Sequence, residues 1–74
     1  MTISDKKEDI FMLQVRLYRM FQNRKKLTSE ECNQIFDKYK LFEYIEKCYE
    51  EYHVQGDEAN YCDMLEYLRG RGYR

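Results

Sequence analysis

Apolar side chains recur at three- and four-residue intervals through almost the whole of this sequence, and that spacing constrains its fold more tightly than any other feature. In the first segment Ile10, Phe11, Leu13, Val15, Leu17, Tyr18, Met20 and Phe21 form a wide stripe, which predicts a helix from about Asp5 to Asn23. Ser4 is placed to cap it. Asp5, Glu8 and Asp9 face the positive end of its dipole, and Arg24, Lys25 and Lys26 stand at the negative end.

Leu27-Thr28-Ser29-Glu30-Glu31 marks a second helix start, because Thr28 and Glu31 can each satisfy the other's backbone N–H in a capping box. Cys32, Ile35, Phe36 and Tyr39 follow at helical spacing. A third stripe runs through Leu41, Tyr44, Ile45, Cys48, Tyr49 and Tyr52. No Gly or Pro lies between Asp37 and Leu41, so the junction of these two helices rests on a shift of the apolar face. His53-Val54-Gln55-Gly56-Asp57-Glu58 is the best interior break, with Gly56 able to take positive φ and Asp57 able to cap the last helix. That helix carries Ala59, Tyr61, Cys62, Met64, Leu65 and Leu68 and stops at Gly70.

The predicted fold is therefore all-α, a compact bundle of three to four short helices in a single domain over residues 1–74, with 70–74 a short basic tail. The absence of Pro and the presence of only three Gly leave none of the turn chemistry of an all-β domain. With 43% hydrophobic residues and a net charge of -1, the chain has the means to fold. Domains near this length bury only about 60% of their unfolded surface, which makes a stabilising partner an early expectation.

Chemistry is sparsely represented. Cys32, Cys48 and Cys62 are odd in number and widely spaced, fitting neither a disulfide framework nor paired metal ligands, so they are expected as reduced core residues. His53 has Cys48 before it and Asp57 after it, yet neither the local pairs of a zinc site nor the third group of a nucleophile triad is present. The expected role of His53, Gly56 and Asp57 is structural, fixing a turn. No metal, cofactor or catalytic residue is expected, and the chain is not expected to be an enzyme. Glu43, Glu46, Glu50 and Glu51 fall opposite the third apolar stripe, where solvent leaves no reason for a raised carboxyl pKa.

Charge is polarised along the chain: residues 1–27 hold seven basic and three acidic side chains, residues 28–68 three and eleven, and residues 69–74 three basic ones. A helix-turn-helix reading fails because its reading helix would offer Glu43, Glu46, Glu50 and Glu51 to phosphates. Arg16, Arg19, Lys25 and Lys26, with the basic tail and Tyr18 or Tyr73 for stacking, are the candidates for RNA. The polarity could instead steer a partner or favour antiparallel self-association.

Tyr39, Tyr44, Tyr49, Tyr52, Tyr61 and Tyr67 exceed what one small core can bury with every hydroxyl satisfied, and tyrosine is enriched at protein interfaces. Tyr44, Tyr49 and Tyr52 are the expected anchors of a docking surface, with Glu43, Glu46 and Glu50 as an acidic rim that directs a basic partner. The alternative is a homodimer in which the wide first-helix stripe, Phe11, Val15 and Tyr18 alongside Leu13, Leu17 and Phe21, buries one face on the chain's own core and another on its twin. No span of about 18 apolar residues and no leader pattern is seen, so the expected location is the cytoplasm, away from any membrane.

Phe36, Tyr39, Tyr49, His53, Gln55, Gly56, Asp57, Asp63, Leu65 and Leu68 form a pattern that resembles the small bacterial domain of unknown function family 3791 across nearly the full chain. Tyr-x-x-x-His at Tyr49 and His53, followed by Gln55-Gly56-Asp57, is its most specific part. Tyr52 stands where the family pattern has an aliphatic residue. Members are often encoded beside ADP-ribosyltransferase-like toxin domains, so the resemblance implies an antitoxin or accessory subunit and carries no catalytic residue. A phage-encoded inhibitor of a host defence enzyme would share these features.

Overall fold

The computed structural model describes residues 3–73, with side chains from Lys6 onward. Five helices succeed one another there: α1 (Ile3–Lys25), α2 (Ser29–Lys38), α3 (Leu41–Lys47), α4 (Tyr49–Tyr52) and α5 (Asp57–Gly70). The all-α class is as expected. Four helices have seven or more residues, and α4 is a single turn. The side chains of Ser4 and Asp5 lie outside the described residues, but the backbone of α1 already includes Ile3, which puts Ser4 within the helix rather than at its cap. Arg74 of the predicted tail also lies outside them.

α1 supplies Leu13, Leu17 and Phe21 to the core, α2 supplies Cys32 and Phe36, and α3 supplies Leu41 and Ile45. Tyr52 of α4 and Tyr61, Met64 and Leu68 of α5 complete it. Edge-on aromatic contacts knit the centre, with Phe36 lying 5.1 Å from Tyr18 and 5.8 Å from Phe21 between ring centroids.

The helix ends show why the chain turns where it does. Thr28 Oγ1 accepts from the Glu31 N–H at 3.1 Å and Glu31 Oε1 accepts from the Thr28 N–H at 2.9 Å, which is the predicted capping box. Between α2 and α3 the whole turn is Tyr39 and Lys40, and Lys40 takes the left-handed region at φ 55° and ψ 44°. Lys26 does the same after α1 at φ 56°. For residues with a Cβ this conformation costs about 1–2 kcal/mol each, which the packing of the flanking helices offsets.

Three expectations are corrected by the fold. The stripe from Leu41 to Tyr52 is not one helix, because Cys48 at ψ 7° ends α3 and opens α4, changing direction before Tyr52. Gly56 adopts an extended conformation at φ -76° and ψ 161° as the N-cap of α5, so its freedom to take positive φ is unused and Asp57 occupies the first turn. The C-terminal segment is not a detached tail: Gly72 at φ 99° reverses the chain, the Tyr73 N–H donates to Leu68 O, and the Tyr73 ring lies 5.9 Å from Phe21 and 6.1 Å from Tyr39.

Part of the charge polarity of the sequence is matched across the surface of the fold. Lys6 pairs with Glu50 at 2.9 Å, Arg16 with Asp57 at 3.0 Å, and Arg24 with Glu58. These exposed pairs orient basic α1 along acidic α4 and α5. They contribute little stability, since solvent screens them.

Candidate docking surface

Of the three tyrosines expected as anchors, Tyr52 is buried and Tyr44 and Tyr49 are half-buried. Tyr52 is 2% exposed, and its hydroxyl donates to Asp63 Oδ2 at 2.5 Å. Tyr44 is half-buried, stacked on Tyr67 at 3.8 Å between centroids, and donates to the same oxygen at 3.0 Å. Burial first, and the Asp63 carboxylate with it, raise the Tyr52 phenol far above the ordinary tyrosine range. Burial likewise raises Tyr44. The break at Cys48 allows this cluster, because it lets side chains of both α3 and α4 reach one carboxylate on α5. Tyr52 is thus a core residue, an aromatic ring whose one polar atom has a partner.

Tyr49 is half-buried and stacked on His53 at 5.0 Å, with its hydroxyl 3.4 Å from Asp9 Oδ2. His53 caps α4 through its backbone N–H to Tyr49 O, and its Nε2 lies 3.8 Å from Glu50 Oε1. Together with Met12, Arg16 and Gln55 these side chains border an open depression of about 260 Å³. Its polar walls are mutually engaged: Arg16 holds Asp57, and Tyr49 reaches Asp9. Glu50 is held below the usual carboxylate range, chiefly by its hydrogen bond from Lys6. Glu43, Glu46, Glu50 and Glu51 are all exposed, as their position opposite the stripe predicts.

The basic candidates do not converge on one patch. Arg16 is paired, and Lys25, whose ammonium lies 5.9 Å from the Tyr73 ring centroid, is nine residues further on and so on the opposite side of α1. Tyr18 lies between Phe36 and Phe42 with its hydroxyl on Asn33 Oδ1 at 2.5 Å, and Tyr73 is docked on Phe21, so both candidate stacking rings already have neighbours. The thiols differ from expectation in one case: Cys32 is buried and Cys48 half-buried, but Cys62 is exposed. Burial raises the pKa of Cys32 and Cys48. Among the described residues no three His, Cys, Asp or Glu side chains are grouped as metal ligands, and no helix is long and apolar enough to cross a membrane.

The exposed apolar surface lies elsewhere. Phe11 is 60% exposed, Met12 48%, Phe42 40% and Val54 74%. Phe11 and Phe42 line an open groove of about 310 Å³ with Val15 and Tyr18, bordered by Gln14, Arg19 and Asn33. Gln14 ties its floor together, donating from Nε2 to Phe42 O at 2.9 Å. The α1 stripe is wider than one core can cover, and the fold turns Leu13, Leu17 and Phe21 inward and leaves Phe11 outside. Phe42 and Met12 escaped sequence reasoning because a lone aromatic beside a buried Leu41, or a methionine inside a wide stripe, gives no sign of which side it faces.

No curated protein and no solved structure matches the chain. A family model described as a protein of unknown function (DUF3791) matches residues 13–71, a span that holds every core side chain, the capping box and the Tyr44–Tyr52–Asp63 cluster, and the chain belongs to that family.

Proposed function

We propose that the chain is a non-catalytic protein-binding domain whose docking surface is the groove between α1 and α3. One observation carries this reading: Phe11 and Phe42, together with Val15 and Tyr18, present a contiguous aromatic and aliphatic surface on a domain that has eleven buried hydrophobic side chains elsewhere. Large rings left in water beside a well-filled core are the usual form of an interaction site. Gln14, Arg19 and Asn33 provide its polar rim. Glu43 and Glu46, exposed on the helix that carries Phe42, favour approach by a basic partner. The antitoxin or accessory role implied by ADP-ribosyltransferase-like neighbours fits this reading, in which the domain acts by covering a partner, a cytoplasmic bacterial or phage toxin or defence enzyme.

The test is affinity capture from the native cell at moderate salt with nuclease, comparing the wild-type chain with Phe11→Ser and with Val54→Ser. A protein retained by the wild type and by Val54→Ser, and lost with Phe11→Ser, supports the reading. A protein retained equally by all three, or nothing but nucleic acid, overturns it.

A further inference from the structure

The outer face of α1 has a symmetry that specifies an occupant for this groove. Glu8, Phe11, Met12, Val15 and Arg19 follow one another at helical spacing on a single stripe, and all are exposed except the half-buried Val15. Among the described residues neither Glu8 nor Arg19 has an ion-pair partner, whereas Lys6, Arg16 and Arg24 of the same helix do. Glu8 and Arg19 are equidistant from the point on the helix that also lies midway between Met12 and Val15. A two-fold axis beside that point, perpendicular to α1, relates Glu8 to Arg19 and Met12 to Val15 of a second copy, and brings Phe11 opposite Arg16.

We propose that the face pairs with a second copy of this chain, α1 lying antiparallel to its counterpart. This rests on the docking surface described above and gives it a competing occupant, a copy of the chain itself. In that arrangement Met12 meets Val15 of the second copy, each Phe11 ring lies beside Arg16 of the other chain, and each Glu8 faces Arg19 of the other chain. The 11-residue separation of the charged positions is about 16 Å along the axis, well within the 23 residues of α1. Parallel pairing would set Glu8 against Glu8 and Arg19 against Arg19, so the charges select the antiparallel form. Opposed helix dipoles favour it too. A stable pair takes about 800 Å² from each partner, about 15% of the 5325 Å² surface, which requires contact along the stripe from Glu8 to Arg19 and onto Phe42 rather than at the apolar centre alone. A heterologous partner at the groove and a second copy would exclude one another.

Sedimentation equilibrium of the purified chain from about 1 μM to about 1 mM tests the pairing, with Glu8→Arg, Arg19→Glu and the double exchange as variants. Each position is exposed, and circular dichroism verifies that the helices persist. The expected result is a monomer–dimer equilibrium that each single reversal weakens by about tenfold, since it places like charges together at both ends of the interface. The double exchange, and an equimolar mixture of the two single variants, restore pairing because opposite charges meet again. A monomer throughout, or single reversals that the mixture does not rescue, overturns the proposal. If the monomer still retains a protein through Phe11 in the capture experiment, only the self-pairing has failed; if that retention is absent as well, the docking reading has failed with it.

Discussion

Replacing Tyr52 with Phe isolates the hydroxyl at the centre of the α3–α4–α5 junction while leaving its buried ring in place. The lost interaction is a 2.5 Å hydrogen bond to the Asp63 carboxylate, and bonds to charged acceptors contribute roughly 1.5–3 kcal/mol. Asp63 is exposed and keeps the 3.0 Å bond from Tyr44, so its carboxylate is rehydrated rather than stranded. The expected loss therefore lies at the lower end, about 1.5–2 kcal/mol. Tyr44→Phe, at a half-buried site whose ring stays stacked on Tyr67, should lose about 0.5–1 kcal/mol. With a urea m-value of about 1 kcal/mol/M, the unfolding midpoint followed by circular dichroism should fall by roughly 1.5–2 M for Tyr52→Phe. The decisive comparison is the same change in an Asp63→Ala background. There the hydroxyl is already buried without its acceptor, and Tyr52→Phe should be neutral or stabilising. A midpoint shift under about 0.5 M in the wild type, or an equal loss in both backgrounds, would refute this account of the hydroxyl.

The same structure leads to three further expected outcomes. Because the native chain holds Tyr52 and Tyr44 as neutral phenols with raised pKa values, their contribution is fully present below the unfolded value near 10; above it stability should fall by up to about 1.4 kcal/mol per pH unit for each, with phenolate absorbance and loss of helix rising together. A phenolate signal that completes with the helices intact would contradict this. Thr28→Ala removes the acceptor of the Glu31 N–H and should destabilise by about 1 kcal/mol in urea unfolding, whereas Lys40→Gly, by relieving the left-handed backbone, should stabilise by about 0.5–1 kcal/mol. A thiol reagent should modify exposed Cys62 in the native protein and reach Cys32 only in urea, a difference that mass spectrometry of the labelled peptides reads directly.

Local signals in the sequence were sufficient for some elements and silent for others. The capping box at Thr28 and Glu31 was legible because both partners lie within one turn, and Leu13, Leu17, Phe21, Cys32 and Phe36 were legible because helical spacing alone puts them on an inner face. The turn at Lys40 was not, since lysine carries no turn signal and its left-handed conformation is imposed by the docking of Phe36 and Leu41 into one core. The break at Cys48 and the inward rotation of Tyr52 depend on Asp63, eleven residues further on from Tyr52, and no periodicity encodes that acceptor. Gly56 and Cys62 show the converse: a residue type that permits a role, positive φ or burial, was placed where the tertiary contacts do not use it. The α1 stripe was legible as wider than one core can cover but not which of its residues stay outside, and Phe42, which completes the groove, is brought there only by the α2–α3 turn.

The pairing of α1 with distant α5 also sets an order of events during synthesis. Arg16 and Arg24 find Asp57 and Glu58, 41 and 34 residues later, and Tyr61, Met64 and Leu68 supply the wall against which Leu13, Leu17 and Phe21 are buried. At about 5–20 residues per second the ribosome needs a few seconds to deliver that wall after α1 is complete. Until that wall arrives, whatever part of α1 has left the ribosome has its inner and outer apolar faces both uncovered, which makes the nascent α1 the segment that a chaperone, or the α1 of another chain, would meet first.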